Sequence, residues 1–248
     1  MFAMRFSVIT VTFNAARFLQ ETLRSVAMQR GVEYEHILWD GGSRDKTLEI
    51  ARTFSHVKII EGKDKGIADA MNRATEHASG EFLLHLHADD LLAHDSVLLM
   101  IYRTLLLHPH LEWLYGRAHF MDSQGNFLCT APYEPFSAKR LRKYNFITHP
   151  TTVVSASLFK KIGGFHADLR YCMDYDLWLR LSRFATPLSL PTPLACFRQH
   201  NHSLSTREPL NVTDEAYLVR NRYTVSFYER LRSYQTWRKR RKKILKSE

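Results

Sequence analysis

Apolar positions along the chain fall into short blocks that alternate with longer blocks of helical spacing. The first, FSVITVTF (Phe6 to Phe13), is rich in β-branched residues and predicts a buried strand ending at Asn14. Phe18, Leu19, Leu23, Val26 and Ala27 then share one helical stripe. EHILW (Glu35 to Trp39) predicts a second strand, closed by a turn over Asp40, Gly41, Gly42 and Ser43. Ser43 is placed to cap a helix begun by RDKTLEIAR. VKII (Val57 to Ile60) and EFLLHL (Glu81 to Leu86) predict two more strands around a helix from Asp69 to Ala78. Such alternation predicts an α/β fold, a doubly wound and mostly parallel sheet with helices on both faces.

The second half is less regular. A strand is predicted near Trp113 to Phe120, a turn at Asp122 to Asn126 and a hairpin-like return at Phe127 to Thr130. Helices are expected around Ser155 to Lys161, ending at Gly163-Gly164, and from Asp174 to Phe184. Pro187 to Pro193 breaks helix and leads to a last strand, Leu194 to Arg198. From about Asn211 the pattern is helical.

Composition narrows the class. Hydrophobic residues make up 45% and aromatic residues 12%, which excludes a disordered chain. No apolar run is long enough to span a membrane, and MFAMRFSVITVTFNAARF lacks the pattern of a secretory signal. Cys129, Cys172 and Cys196 have no metal-ligand spacing and predict free thiols, hence a cytoplasmic setting. The formal charge of +10 is concentrated at one end: nine of the 35 Lys and Arg, and one of the 25 acids, lie from Arg230 onward. The rest of the chain is nearly neutral, so a broad nucleic-acid surface is not expected. Phe227, Tyr228, Leu231, Tyr234, Trp237, Ile244 and Leu245 interleave with the basic tail. That pattern favours an interfacial helix on anionic lipid, at the inner face of the plasma membrane; a solvated tail is the plainer alternative.

In an open parallel sheet, ligands bind beyond the carboxyl ends of the strands. Thr12, Asn14, Asp40, Asp64-Lys65-Gly66 and Asp89-Asp90 are predicted at that edge, with neither a dinucleotide fingerprint nor a P-loop. Adjacent carboxylates there suit a hard divalent cation that shares its oxygen ligands with substrate phosphates. Plainer roles compete with this. Asp89 and Asp90 could cap a helix over LLAHDSVLLMIY, Asp40 could serve only its turn, and Asp174 and Asp176 could be first-turn acids. His85 and His87, two apart on one strand face, read as packed or hydrogen-bonded rings before a zinc pair.

Five segments in order resemble the family 2 glycosyltransferases. SVITVTFN (Ser7 to Asn14), followed by LRSV and Gln29, is similar to that family's opening, and WDGGSRD (Trp39 to Asp45) to its VDGGSTDGT segment. DKGIADAMN (Asp64 to Asn72) resembles DKGIYDAMN, LHADD (Leu86 to Asp90) the LNADD metal motif, and GGF with MDYDLWLR (Gly163 to Arg180) the GGF…EDYDLWLR acceptor segment. Together they cover about residues 5 to 205. The resemblance implies a GT-A fold over 1–205, with a nucleotide half (about 1–95), an acceptor half (about 96–205) and a basic helical extension (206–248). It implies inverting transfer from a nucleotide-diphosphate sugar to a glycan or lipid-linked acceptor, with Mg²⁺ or Mn²⁺, in surface polysaccharide synthesis. By the same resemblance Asp90 is the metal ligand and Asp89 touches the donor ribose or shares the metal. Asp40 and Thr12 meet the nucleotide base, Asn14 belongs to the same site, and Lys65 approaches the phosphates. Asp174 is the general base, and His200, or nearby His202, joins the metal or diphosphate. Two positions depart from the family: His87 stands where it commonly has Asp or Asn, and Met173 replaces the glutamate before Asp174. The competing readings are a nucleotidyltransferase with an acidic metal site and a non-catalytic carbohydrate- or nucleotide-binding module.

Overall fold

FSVITVT forms β1 (Phe6–Thr12), and all seven residues are buried, as its unbroken apolar and β-branched run requires of a central parallel strand. The computed structural model describes residues 5–201, 203–224 and 226–246. β1 lies between β2 (Tyr34–Asp40) and β4 (Phe82–His85), with β3 (Val57–Glu61) outside β2; all three pairings are parallel. The helices α1 (Ala16–Ala27), α2 (Thr47–Arg52) and α3 (Ile67–Thr75) make the crossovers. α1 sets Phe18, Leu19, Leu23 and Val26 against the sheet, and burial of each such side chain contributes about 1.5–3 kcal/mol.

After β4 comes a two-residue strand, β5 (Leu91–Leu92), and then α4 (Val97–Leu107). Asp89 and Asp90 therefore precede a strand and cap no helix. The sheet continues through β6 (Trp113–Met121), β7 (Phe127–Thr130), β8 (Thr152–Ser155) and β9 (Leu188–Arg198). Its order is β3-β2-β1-β4-β8-β6-β9-β5, with β7 on β6. β8 is antiparallel to both β4 and β6, which leaves β6 and β9 running with the first four strands. The carboxyl ends of β1, β2, β4 and β9 thus share one edge.

Two expectations in this region change. Pro187 to Pro193 does not merely break helix: β9 runs through Pro191 and Pro193, opposite register shifts in β6 that spare the prolines a regular ladder. Ser43 does not cap α2, which begins at Thr47, where Asp45 Oδ1 accepts the Thr47 N–H at 3.0 Å.

α5 (Ala138–Leu141), a single 3₁₀ turn at His149–Thr151, α6 (Ala156–Lys161) and α7 (Met173–Leu181) build the other half. One core cluster joins the halves, running from Ile9 and Ile37 through Met71 to Trp113, Trp178 and Val219. Val219 belongs to α9 (Pro209–Arg222), which follows the short α8 (Leu204–Arg207) and precedes α10 (Phe227–Ile244). α10 folds back on α9: Trp237 stacks on Tyr217 at 5.1 Å and donates to Asp214 at 2.6 Å. No helix among the described residues is long and apolar enough to cross a membrane.

Candidate active site

The carboxyl ends of β1 and β2 are tied to each other. Asp40 is fully buried and each of its oxygens accepts two hydrogen bonds. Oδ1 takes the N–H groups of Gly42 (3.0 Å) and Ser43 (2.7 Å); Oδ2 takes the hydroxyls of Ser43 (2.6 Å) and Thr12 (2.9 Å). The expected contact between Asp40 and a nucleotide base would require one of these four bonds to be given up. Asn14, at φ 51°, latches the next loop: its N–H donates to Ser43 Oγ and its Oδ1 accepts from the Arg44 N–H, both at 2.8 Å. Asparagine tolerates this left-handed conformation better than most residues.

The loop after β3 is held by Asp64, which accepts from Trp39 Nε1 and the Gly66 N–H, both at 3.0 Å. Gly41 lies so near that a Cβ there would sit 2.7 Å from Asp64 Oδ2. Lys65 is exposed at the tip of this loop, its backbone N–H bonded to Asp69 at 2.9 Å, and no ion pair engages its amine among the described residues.

The turn after β4 and the end of β9 form one cluster. His200 Nε2 lies 2.8 Å from Asp89 Oδ2, and the His200 ring rests on Phe18 at 4.8 Å. The Asp89 side chain keeps 30% exposure, whereas Asp90 keeps 1%. Burial alone would raise the Asp89 carboxyl, but the His200 hydrogen bond and the charges of His87 and His200 outweigh it and hold it below the usual range. Burial, reinforced by the charge of Asp89, pushes Asp90 well above that range, against the Arg198 N–H and charge. The pair therefore ionises in steps, Asp89 first. Asp90 Oδ1 accepts the Arg198 N–H at 2.9 Å, and Oδ2 is buried without a partner among the described residues. Of the two acids, Asp89 is the more accessible and Asp90 the more deeply buried.

Arg198 is the keystone of this edge. Its Nε donates to the Asp89 carbonyl at 3.0 Å, its Nη2 to Glu21 at 2.7 Å, and its guanidinium lies 4.6 Å over the Phe18 ring. His87 packs its ring on His149 at 4.5 Å, and His149, 7% exposed, has both ring nitrogens unpartnered among the described residues. His85 is buried, with Nε2 3.0 Å from Thr75 Oγ1, as a packed and hydrogen-bonded histidine should be. No group of three or more His, Cys, Asp and Glu side chains is gathered for a metal among the described residues. His202, the expected alternative to His200, lies outside them.

In the segment that the resemblance assigns to the acceptor, Asp174 sits in the first turn of α7, half-buried. Burial raises its carboxyl to about 6, against the Tyr175 N–H and the Asn145 amide, which donate at 2.6 and 3.3 Å. Asp176 is structural: fully buried, it pairs with Arg180 at 2.8 Å and His166 at 3.0 Å and accepts from Tyr223 at 2.6 Å. Arg180 in turn donates to the carbonyls of Ile162 and Gly164 at 2.9 and 2.7 Å. Asn72 clamps the same loop, accepting the Phe165 N–H at 2.9 Å and donating to its carbonyl at 2.8 Å. Segments 93 residues apart are joined by these bonds: the Asn of DAMN closes on the Phe of GGF.

Sequence reasoning missed Asn72 as a clamp, Asn145, His149, Arg198 and Glu215. Arg198 gave the only legible signal, as the expected end of the last strand two residues before His200.

Comparison with known proteins follows the same residues. The family described as glycosyl transferase family 2 matches residues 7–163. A PGL/p-HBAD biosynthesis glycosyltransferase of Mycobacterium bovis is 33% identical over 185 residues, covering 73% of this chain and 70% of that one. The chondroitin synthase of Escherichia coli is 26% identical over 182 residues, covering 71% of this chain but 26% of its own length. Among solved structures, S. aureus TarS 1–349 in complex with UDP-GlcNAc superposes with a TM-score of 0.71 at 20% identity, over 87% of this chain and 65% of that one, slightly under two thirds of its length. The mannosyltransferase PcManGT of Pyrobaculum calidifontis, in complex with GDP-Man and Mn²⁺, gives 0.69 at 16% identity over 96% and 70%. These structures share the curled, mostly parallel GT-A sheet described above. With its sequence matched by the family over more than half its length, the chain belongs to the family 2 glycosyltransferases.

Proposed function

We propose that the protein transfers a sugar, with inversion, from a nucleoside-diphosphate donor to a hydroxyl of a glycan or lipid-linked acceptor, in surface polysaccharide or glycolipid synthesis. The observation that carries this reading is the pairing of an accessible, ionised Asp89 with His200 at the carboxyl edge of the sheet, in a chain that also presents Asp174 at the start of α7.

A divalent cation fits the donor set in a limited way. Asp89 offers a carboxylate and His200 an imidazole, and a cation held by two side chains leaves positions for diphosphate oxygens and water. An imidazole nitrogen among the ligands suits Mn²⁺ better than Mg²⁺. When bound, such an ion stabilises the charge that builds on the departing diphosphate. Asp90, buried, accepts the Arg198 N–H and so fixes the end of β9; in this reading it positions Asp89. Thr12, Asn14 and Asp40 shape the floor under the nucleotide, and Lys65, free to swing, meets the phosphates. Asp174 accepts the proton of the acceptor hydroxyl as it attacks the anomeric carbon from the opposite face. A carboxyl that titrates near 6 is ionised at neutral pH yet basic enough to take that proton.

The acceptor class is supported by α10. Its Ser233, Trp237 and Arg241 face α9, while Arg232, Arg238, Lys239, Lys242 and Lys243 are exposed alongside Phe227, Tyr228 and Leu231. This suits an anionic membrane surface carrying a lipid-linked acceptor.

The test is a donor screen with UDP- and GDP-sugars, with Mn²⁺ or Mg²⁺, following nucleoside diphosphate release. Asp174→Asn is expected to lower turnover by about 10²–10⁴-fold with donor binding retained. Asp89→Ala is expected to weaken Mn²⁺ binding measured directly by calorimetry. Full metal-dependent turnover in Asp89→Ala, or binding of no nucleotide sugar, would sink the proposal.

A further inference from the structure

The first turn of α7 is reached by a carboxylate from outside the segments that carry the family motifs. Glu215, on the second turn of α9, accepts three consecutive backbone N–H groups: Arg170 at 3.0 Å, Tyr171 at 2.7 Å and Cys172 at 2.6 Å. Cys172 is the N-cap residue of α7, and its own side chain makes no capping bond. A carboxylate on three successive amides is a charge-assisted arrangement, and its sign suits the positive end of the helix. Two residues beyond the cap stands Asp174. Glu208 of α8–α9 braces the same loop, meeting the Tyr171 hydroxyl and lying 3.6 Å from the Arg170 guanidinium.

We propose that Glu215 is a positioning residue for Asp174, so that α9 is part of the catalytic apparatus and not an appendage to it. The inference rests on Asp174 being the acceptor-side base. Glu215 works in two ways. It fixes the backbone from which Asp174 projects, and its negative charge opposes ionisation of the Asp174 carboxyl, in the same direction as burial. The other groups around Asp174 do not duplicate this. Asn145, from the loop before the 3₁₀ turn, donates to it and acts oppositely. Cys172 is a buried thiol whose own ionisation is pushed far up by burial and then by Asp174 and Glu215. Asp176 is neutralised by Arg180, and Arg220 of α9 is directed at Tyr175 and Cys172. The Arg170 side chain is drawn towards Glu208.

The experiment is a pH titration of the Asp174 carboxyl in the full-length protein by ¹³C NMR of labelled aspartate, with the resonance assigned by its loss in Asp174→Asn. The wild-type midpoint is expected at about 6. Glu215→Gln keeps an acceptor but removes the charge, and should move the midpoint down, while the affinity for UDP or GDP stays unchanged. If the glutamine variant does not fold, Glu215→Asp draws the charge back by one methylene and should give a smaller downward shift. An unmoved midpoint in the variant that folds overturns the proposal. The two readings fail separately. Asp174→Asn with undiminished transfer removes the base, whereas an inactive Asp174→Asn together with an unmoved Asp174 midpoint in Glu215→Gln removes only Glu215.

Discussion

Asp174 carries a cost that its proposed role as general base explains. Its folded-state carboxyl titrates at about 6 against an ordinary 3.8, so the fold disfavours the ionised form. The contribution to stability is therefore full below about pH 4 and is lost as pH rises through about 6. Asp174→Asn removes the titration and should be more stable than the wild type at pH 8 by about 1–2 kcal/mol, with little difference at pH 4. Urea unfolding at the two pH values measures this, and equal gaps at both would contradict it. A variant that is inactive yet more stable is what a residue kept for chemistry should give. The neighbouring Asp176 is the opposite case. Its carboxylate is saturated by Arg180, His166 and Tyr223, so it serves the fold.

At the scale of elements, α3 and the loop before α7 are fastened by one side chain. Asn72 satisfies both backbone groups of Phe165, and a Cβ on Gly164 (φ 66°) would sit 2.6 Å from Asn72 Oδ1. Asn72→Ala leaves a buried donor and acceptor open and should cost about 2–4 kcal/mol. Asn72→Asp keeps one bond and should cost less; thermal or urea unfolding ranks the two. The elements that sequence made legible are those whose signal is local. β1 to β4 are near-continuous apolar runs, and their crossover helices show clean stripes. β5 is two residues long and exists because Leu91 and Leu92 pair with Cys196 and Ala195, a partner no local window contains. Only the Leu194–Arg198 end of β9 was legible; its first part was hidden by its prolines, since β6 supplies the register shifts that accommodate them. β8 was legible and left unassigned: Thr152, Val153 and Val154 are a β-branched run just ahead of the helix expected around Ser155 to Lys161. In the site, the residue types were readable and their division of labour was not. Asp89 and Asp90 differ by one position in sequence; only their tertiary surroundings make one accessible and the other buried.

The whole molecule is electrically uneven. A nearly neutral body ends in a helix whose free face carries Arg232, Arg238, Lys239, Lys242 and Lys243, all exposed. Each cation near an anionic bilayer contributes about 1 kcal/mol, and the exposed Phe227 and Tyr228 add apolar contact. The full-length protein should co-sediment with phosphatidylglycerol vesicles and not with phosphatidylcholine vesicles. Reversing Lys239, Lys242 and Lys243 to Glu should lower that partition by about 100-fold or more at low salt. Equal partition of the two proteins would leave this face as a solvated one.

The contact between Asp89 and His200 spans 111 positions of chain, and the bond between Asp90 and the Arg198 N–H spans 108. A ligand that engages Asp89 and His200 together therefore acts as a reversible cross-link between the first half of the sheet and its last strand. Its binding free energy is added to the closure of that long loop, and so to the cooperativity of the whole domain. Occupancy of the site and integrity of the sheet become one equilibrium, in which each raises the other.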